Sequence, residues 1–282
     1  MPARSTCLAC GTSLDLPDSL AAAPSFCPRC GQPLAVGAPE AAAPAARRVV
    51  AVHQPNFLPW LGFLQKVVRA DLFVLYDDVQ FPASPTFGNR VTIKTHQGPL
   101  DVVVPVSASR TDLFNQVRLA PGNWRKKTVK TIQLEYQRAP FTAQYLPAFA
   151  EVLMDAKVTS LCEMNRRLLE LVLEKLGAPK HLVWSSETGE KTAANGGERL
   201  LEILRRIEAT HYISGQGAGS QRYVRDEDFQ KAGIHLIWQK FAHPTYTQLH
   251  GEFVPNLSCL DLLFNCGPAS LDVLMKAEGI AL

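Results

Sequence analysis

The stretch RVVAVHQPNFLPWLGFLQKVVRADLFVLYDD, residues 48–78, decides the fold. It begins with a β-branched apolar run at 48–53, continues through a helical pattern at 58–70 and ends with a second apolar run at 72–76. Two apolar runs that flank a helical pattern predict parallel strands joined by a helix. Because similar alternation continues through most of the chain, the sequence predicts an α/β fold with a mostly parallel sheet flanked by helices.

One pair of strands interrupts this alternation. The runs VTIKT (91–95) and LDVVVPV (100–106) are joined by a His-Gln-Gly-Pro turn, which is typical of a β-hairpin. Beyond them, helical patterns and short apolar runs alternate again, with strands predicted at 181–186, 211–214 and 234–238. We therefore predict a β-hairpin insertion in the α/β fold.

Cysteines mark the first part of the chain. Four of the seven form two Cys-x-x-Cys pairs, Cys7 with Cys10 and Cys27 with Cys30, each followed by glycine. Two thiolates one tight turn apart suit two corners of a zinc tetrahedron, and four thiolates leave the zinc no open position. We therefore predict a small four-cysteine zinc ribbon with a structural zinc. The alternative, two disulfides in a secreted module, requires a secretory signal, and the opening MPARST has no apolar segment of that kind.

Composition divides the chain into three segments. We predict the ribbon over residues 1–34, a linker over 35–47 and the α/β domain over 48–282. The linker contains AVGAPEAAAPAA, which is rich in Ala and Pro and has no periodic apolar face. The ribbon is too short to bury a core of its own, so we expect zinc to supply most of its folding free energy.

Composition and charge exclude several classes of protein. Hydrophobic residues make up 46% of the 282 residues, which is typical of a globular protein, and no apolar run is long enough to span a membrane. The absence of a secretory signal predicts a cytoplasmic location. The net charge of +3 does not indicate nucleic-acid binding. The basic segment WRKKTVK (124–130) lacks a pattern of stacking aromatics, so we interpret it as a solvated helix face.

Polar residues follow the first predicted strand of the α/β domain. His53 and Gln54 lie where ligands bind in open α/β sheets, beyond the carboxyl end of a strand. Lys66 lies further along the helix that follows. Histidine titrates near neutral pH, so His53 is a candidate general base or phosphate ligand, with a hydrogen-bonded structural histidine as the alternative.

The second strand ends in two carboxylates, Asp77 and Asp78. Adjacent residues of an extended chain point to opposite faces, so at most one of them is expected to face a ligand while the other braces a loop. Downstream, Arg90 and Lys94 are candidate clamps for a phosphate or carboxylate. A turn for the aspartates and a solvated hairpin face for the two cations are the alternatives.

Two later segments are also polar. The segment HYISGQGAGSQRY places Gly215 and Gly217 after a predicted strand, where glycine lets a backbone approach a phosphate or sugar, although a plain tight turn has the same composition. The segment FAHPTYTQ supplies His243, Tyr246 and Gln248 as candidate substrate-binding residues.

One buried carboxylate has a structural interpretation. Ser258 is a candidate N-cap of the helix that follows it. Asp261 then falls at the third helical position, which predicts a capping-box arrangement between the two residues.

The segments HQPNFLPW, YDDVQF, GNRVTIK, ISGQGAGSQRY, HPTYTQ and LSCLDLLFNCG together resemble the WbqC-like protein family, from about Val49 to Gly267. The family typically lacks the ribbon, and many members have a second Asn where this chain has Val91. Such proteins tend to be encoded with the machinery for surface polysaccharides and modified sugars. The resemblance therefore implies transfer chemistry on sugars or related small molecules.

The leading functional hypothesis is a transferase that acts on an activated or anionic small molecule, such as a nucleotide-linked sugar or an acyl or aminoacyl donor. His53 would act as base or phosphate ligand, oriented by Asp77 or Asp78. Arg90 and Lys94 would hold negative charge, and the loop at 215–219 would cradle the donor. Two alternatives remain: a non-catalytic metabolite-binding or scaffold protein whose ribbon docks a partner protein, and nucleic-acid binding through the ribbon and residues 124–130.

Overall fold

The computed structural model describes residues 3–6, 10–16, 29–32, 46–82, 86–109, 111–193, 195–277 and 279–280. The chain divides into two compact units, residues 1–46 and 47–282. In the first unit, strand β1 (Ala3–Thr6) pairs antiparallel with strand β2 (Ser13–Leu16).

Two turns of the first unit share one backbone form. Cys10 and Cys30 are exposed residues in turns, and the glycine after each has a left-handed φ, +70° at Gly11 and +69° at Gly31. Left-handed backbone favours glycine because a side chain there meets the following carbonyl. The left-handed backbone conformation thus explains why a glycine follows each Cys-x-x-Cys pair.

The predicted zinc site is only partly within the described residues, because Cys7 and Cys27 lie outside them, as does most of the predicted linker. Within the part of the chain that the structure describes, no group of three or more His, Cys, Asp or Glu side chains is arranged to hold a metal ion. The four-cysteine zinc ribbon therefore stays a prediction.

The second unit contains the strands and helices of an α/β domain. In chain order they are β3 (Val49–His53), α1 (Leu61–Arg69), β4 (Leu72–Leu75), β5 (Arg90–Thr95), β6 (Gly98–Val103), β7 (Val106–Ser107), β8 (Arg118–Leu119), α2 (Trp124–Tyr136), α3 (Thr142–Met154), α4 (Leu161–Lys175), β9 (Leu182–Trp184), α5 (Gly196–Arg206), β10 (His211–Gly215), α6 (Ala218–Tyr223), α7 (Asp226–Lys231), β11 (His235–Gln239), α8 (Cys259–Cys266) and α9 (Ser270–Met275).

Five of these strands form a parallel sheet in the order β11-β10-β3-β4-β9. Its strands are short, and β3 and β4 are almost wholly buried, as parallel strands covered on both faces are. The central strand β3 shows the alternation: Val49 and Ala51 pack into one apolar core, and Val50 and Val52 into a second core on the other face. The predicted α/β class with a mostly parallel sheet is confirmed.

The two cores differ in size. The larger one lies between the sheet and helices that include α1, α4 and α8, and the smaller one packs against α5 and α7. The α1 helix contributes Phe63, Leu64 and Val67 to the larger core, which fixes the helix across the end of β3. Every residue from Leu61 to Val67 is buried, so the polar side chains of this stretch are buried with the apolar ones.

The predicted hairpin is also confirmed. Strands β5 and β6 pair antiparallel with Thr95 opposite Gly98, so the turn between them is the two residues His96 and Gln97, shorter than predicted. Short strands β7 and β8 and the six-residue helix α6 are elements that the sequence patterns did not predict.

The predicted capping box at α8 is wrong. The Ser258 hydroxyl caps the helix by accepting a hydrogen bond from the Leu260 N–H, as an N-cap does. The Ser258 N–H, however, donates to the Thr92 carbonyl, and the Asp261 carboxylate accepts from the Tyr246 hydroxyl. Asp261 therefore belongs to a tertiary contact, and local capping does not explain its burial.

Within the described ranges, none of the helices is both long enough and apolar enough to cross a bilayer.

Candidate functional site

A cavity of about 690 Å³ opens where β3 and β4 end. Parallel strands present their carboxyl ends to one edge of a sheet, where ligands of α/β proteins bind, and this volume suits a drug-sized molecule. The walls come from the strand ends, the loop after β4 and the first turns of α5 and α6: Val52, His53, Gln54, Tyr76, Val79, Gln80, Phe81, Pro82, Lys191, Ala193, Asn195, Gly196, Leu200, Tyr212, Ser220, Tyr223 and Val224.

His53, the last residue of β3, has a fixed tautomer. Its Nδ1 lies 3.0 Å from the Gln54 carbonyl oxygen. A carbonyl oxygen can only accept, so Nδ1 carries the proton and Nε2 of the neutral ring carries the lone pair. The edge contact of the ring with Phe63, 5.1 Å between centroids, supports this orientation. His53 thus offers one proton-accepting nitrogen at the wall of the cavity.

The surroundings keep the His53 ring neutral. Burial, and then the charge of nearby Lys66, lower the pKa of His53 to about 3, although the bond to Gln54 opposes the shift. At neutral pH the ring is therefore an acceptor through Nε2. Any negative charge that neutralises Lys66 would raise the pKa of His53 toward its ordinary value.

Lys66 is a buried cation that has no counterion in the part of the chain that the structure describes. The residue is 5% exposed, and burial lowers the pKa of its ammonium group to about 8. Among the described residues, no carboxylate lies within ion-pair distance of Lys66 Nζ and no acceptor receives a hydrogen bond from it. Burial without a counterion disfavours the charged ammonium, so a negative partner would stabilise the charged form of Lys66.

Lys66 Nζ lies beside the end of β10. A Cβ atom built on Gly215 would lie 3.5 Å from Lys66 Nζ and 4.0 Å from Ser220 Oγ, and Ser220 lines the cavity. The lysine, the glycine and the serine thus meet at one edge of the cavity.

Three tyrosines line the cavity, Tyr76, Tyr212 and Tyr223, and burial raises the pKa of the first two. The Tyr76 hydroxyl is buried and makes no hydrogen bond within the described residues, and burial, followed by the charge of Asp78, raises the pKa of this phenol. Burial also raises the pKa of Tyr212 to about 12. Both phenols stay protonated at neutral pH, and the Tyr76 hydroxyl is enclosed beside the cavity.

The structure directs the two predicted catalytic aspartates away from His53. Asp77 accepts hydrogen bonds from Ser185 Oγ (2.9 Å), Ser186 N (3.0 Å) and Ser186 Oγ (2.7 Å). Asp78 forms an ion pair with buried Arg199 at 2.6 Å. Neither aspartate lines the cavity, and His53 Nδ1 is oriented by backbone instead. These partners give both carboxylates a bracing role at the end of β4.

The two predicted anion clamps of the hairpin lie elsewhere. Arg90 pairs with exposed Asp101 at 3.4 Å, both side chains being more than 40% exposed. Lys94 is buried, and its ammonium donates to Gln248 Oε1 (3.3 Å) and to the carbonyls of Gly251 (3.3 Å) and Glu252 (2.5 Å). Arg90 fits the alternative of a solvated hairpin face. Lys94 joins the hairpin to the segment at 248–252.

The predicted residues of the FAHPTYTQ segment form a second polar cluster. His243 Nδ1 donates to the Pro244 carbonyl (2.9 Å), and the ring packs against Phe253 with centroids 5.4 Å apart. The Tyr246 hydroxyl donates to Asp261 Oδ2 (2.9 Å). Burial raises the pKa of Asp261 and that of Tyr246. This cluster lies outside the cavity lining.

Of the predicted site residues, four meet at the cavity. His53 and Gln54 line it, and Lys66 and Gly215 lie beside it. Gly217 is the exposed N-cap of α6, with open space around its Cβ position.

The sequence patterns missed several cavity residues, most of them on the α5 side: Tyr76, Lys191, Asn195, Tyr212, Ser220 and Tyr223. The position of Tyr76 directly after β4 was the signal that could have found it, since strand ends share one edge of the sheet.

Comparison with known proteins links the chain to one family. The model of the WbqC-like protein family matches residues 54–273. The uncharacterised Mycobacterium tuberculosis protein Rv1507c is 31% identical over 230 residues, which cover 80% of this chain and 96% of that protein. No solved structure matches.

Proposed function

The chain belongs to the WbqC-like protein family, and we propose that it is a transferase acting on an activated or anionic small molecule. The substrates we propose are nucleotide-linked sugars and acyl or aminoacyl donors of polysaccharide or specialised-metabolite biosynthesis. One observation carries the proposal: the buried cation Lys66, which has no counterion among the described residues, lies next to a histidine whose acceptor nitrogen is available at a cavity wall. Such a pair suits a negatively charged substrate and a proton transfer.

The proposed reaction follows from these two groups. The donor binds in the cavity with its negative charge near Lys66. This charge offsets that of the ammonium, which raises the pKa of His53. The hydroxyl or amine of the acceptor attacks the activated carbon and gives its proton to His53 Nε2. The bond to the leaving group breaks, and the leaving group departs with the electron pair as an anion.

Asp77 and Asp78 support this site from outside it. Their bonds to Ser185, Ser186 and Arg199 fix the chain directly after β4, where Tyr76 enters the cavity wall. We therefore propose that both are positioning residues, and that Arg90, Lys94, His243, Tyr246 and Gln248 stabilise the domain without contacting the substrate.

The test compares His53→Gln with a surface control, His181→Gln, whose side chain is exposed. Purified proteins are incubated with a panel of nucleotide sugars and acyl donors, and products are identified by mass spectrometry. Losing a general base lowers turnover by about 10²–10⁴-fold, so we expect that loss for His53→Gln, with wild-type turnover in the control. Donor binding with no product from any donor would contradict the transferase and favour the metabolite-binding alternative.

For the first unit we propose a structural zinc held by Cys7, Cys10, Cys27 and Cys30, in a ribbon that docks a protein partner in the cytoplasm. The hairpin of β1 and β2 and the matched turns at Cys10 and Cys30 support this proposal. Elemental analysis should find about one zinc per chain, because four thiolates complete a tetrahedron. Cys27→Ser should lose the zinc, and zinc retained in residues 46–282 alone would contradict the proposal.

A further inference from the structure

The backbone conformation at Gly215 does not require a glycine. It ends β10 in regular parallel register, paired with Gln239, and its φ lies outside the left-handed region that favours glycine. By contrast, Gly267 has a φ of +53°. An alanine could adopt the backbone of Gly215 without strain.

Packing gives no reason either. A Cβ on Gly62 would lie 2.1 Å from the Trp60 ring, and one on Gly88 would lie 2.4 Å from the Phe114 ring. At Gly215 the nearest heavy atom, Lys66 Nζ, is 3.5 Å away, an ordinary van der Waals distance. An added methyl group would fit, but it would fill a space that two polar groups border.

Those two groups are a cation and a hydroxyl. Within the described residues, neither Lys66 Nζ nor Ser220 Oγ donates a hydrogen bond, although an ammonium carries three donors and a hydroxyl one. An oxygen atom over Gly215 reaches both with small side-chain movements, because the Cβ position is already 3.5 Å and 4.0 Å from them. A charged oxygen there would accept strong, charge-assisted hydrogen bonds.

We propose that the space over Gly215 is an anion seat, in which one anionic oxygen of the ligand, from a phosphoryl or carboxylate group, binds Lys66 Nζ and Ser220 Oγ. This inference depends on the proposed function in one respect: it takes the ligand that carries the anionic oxygen to be the donor substrate of the transferase. Gly215 is then a specificity-determining residue, since any side chain there would occupy the seat. The seat also lies next to the cavity wall, so the rest of the ligand extends past Ser220 into the cavity.

The test compares two glycines of the same loop. Gly215→Ala fills the anion seat, whereas Gly217→Ala adds the same methyl group to open space. Binding of inorganic phosphate and of acetate to the full chain is measured separately by isothermal titration calorimetry, and folding by thermal melting. We expect Gly215→Ala to weaken the tighter of the two anions by about 10- to 100-fold, the value of a lost charge-assisted hydrogen bond, and Gly217→Ala to leave binding unchanged.

The two anions distinguish the two ligand sources: tighter phosphate identifies a phosphoryl group, and tighter acetate a carboxylate. If Gly215→Ala does not fold, Lys66→Met and Ser220→Ala replace it, and both should weaken the same anion. Wild-type anion binding in the folded Gly215→Ala protein, or in both replacements, would overturn the seat. If these variants lose anion binding and the wild type forms no product from any donor, the anion seat is supported and the transferase function is contradicted.

Discussion

Two buried charged clusters lie near the same end of the sheet, and they differ in how their charges are compensated. Arg199, which is 1% exposed, donates to Asp78 (2.6 Å), to Glu202 (2.7 Å) and to the Ser185 carbonyl (3.0 Å). Lys66 is buried almost as deeply, yet its ammonium has no such partner among the described residues. This difference distinguishes a structural cluster from a candidate binding site. The charge of Arg199 is already balanced by its protein partners, whereas the charge of Lys66 can be balanced by an anionic ligand.

The largest effect on stability is expected when the paired cation, Arg199, is removed. Arg199→Met leaves the Asp78 carboxylate buried beside an apolar side chain, and breaking one partner of a buried ion pair costs about 3–5 kcal/mol. We expect that loss in the free energy of unfolding, measured by urea denaturation.

Arg206→Met is the matched control for Arg199. Arg206 also pairs with Glu202, at 2.9 Å, but its side chain is 32% exposed. An exposed pair contributes about 0–1 kcal/mol. Equal losses in the two variants would contradict the scaffold role of the Arg199 cluster.

The second test removes the unpaired cation and should act in the opposite direction. The pKa of Lys66 in the folded protein, about 8, lies below its ordinary value of 10.5. The charged form is therefore disfavoured by folding, with the full penalty below pH 8 that fades as the pH rises to 10.5. At pH 7 we expect Lys66→Met to raise the free energy of unfolding by about 3 kcal/mol while anion binding is lost.

Urea denaturation at pH 7 and again above pH 10.5 measures this effect, with exposed Lys157→Met as the control that should change neither value. A destabilised Lys66→Met protein at pH 7 would mean that the ammonium has a stabilising partner.

The third test uses the pH dependence of His53. Its pKa in the folded protein is about 3, against 6.5 when unfolded, so only the unfolded state gains this proton as the pH falls below 6.5. Between pH 7 and pH 5, the free energy of unfolding of the wild type should therefore fall by about 2 kcal/mol more than that of His53→Gln. Parallel stability curves for the two proteins across that interval would show that the His53 ring is accessible to protons in the folded state.

The smallest effect is expected on the hairpin surface. Arg90→Ala breaks the exposed pair with Asp101 and should cost less than about 1 kcal/mol, with anion binding unchanged. Thermal melting and phosphate titration measure both quantities. A loss of phosphate binding in this variant would return Arg90 to the site.

The sheet could be predicted because each strand carries its own signal. Residues 48–53 and 72–76 are short apolar runs, and the carboxyl ends of parallel strands meet at one edge of the sheet. That rule predicted that His53 and Gly215, which lie far apart in the chain, end strands at the same edge of the sheet. The two-residue strands β7 and β8 are too short to leave such a pattern.

The roles of the polar side chains could not be predicted in this way, because their partners are far away in sequence. Asp78 is joined to Arg199 across 121 residues and Lys94 to Gln248 across 154. Whether a charged residue braces the fold or awaits a ligand depends on those partners. Local spacing contains no information about them.

The position of β3 in the middle of the sheet also has a consequence for synthesis on the ribosome. β3 pairs with β10, and the contact between Arg48 and Thr210 spans 162 residues, so one edge of β3 stays open until β10 has been translated. Before β10 pairs with β3, that strand does not cover the Lys66 ammonium. The unfavourable free energy of burying the ammonium therefore opposes the late step in which β10 joins the sheet. If an anion binds at Lys66 as we propose, it would favour completion of the nascent domain, because it stabilises the state in which the ammonium is covered.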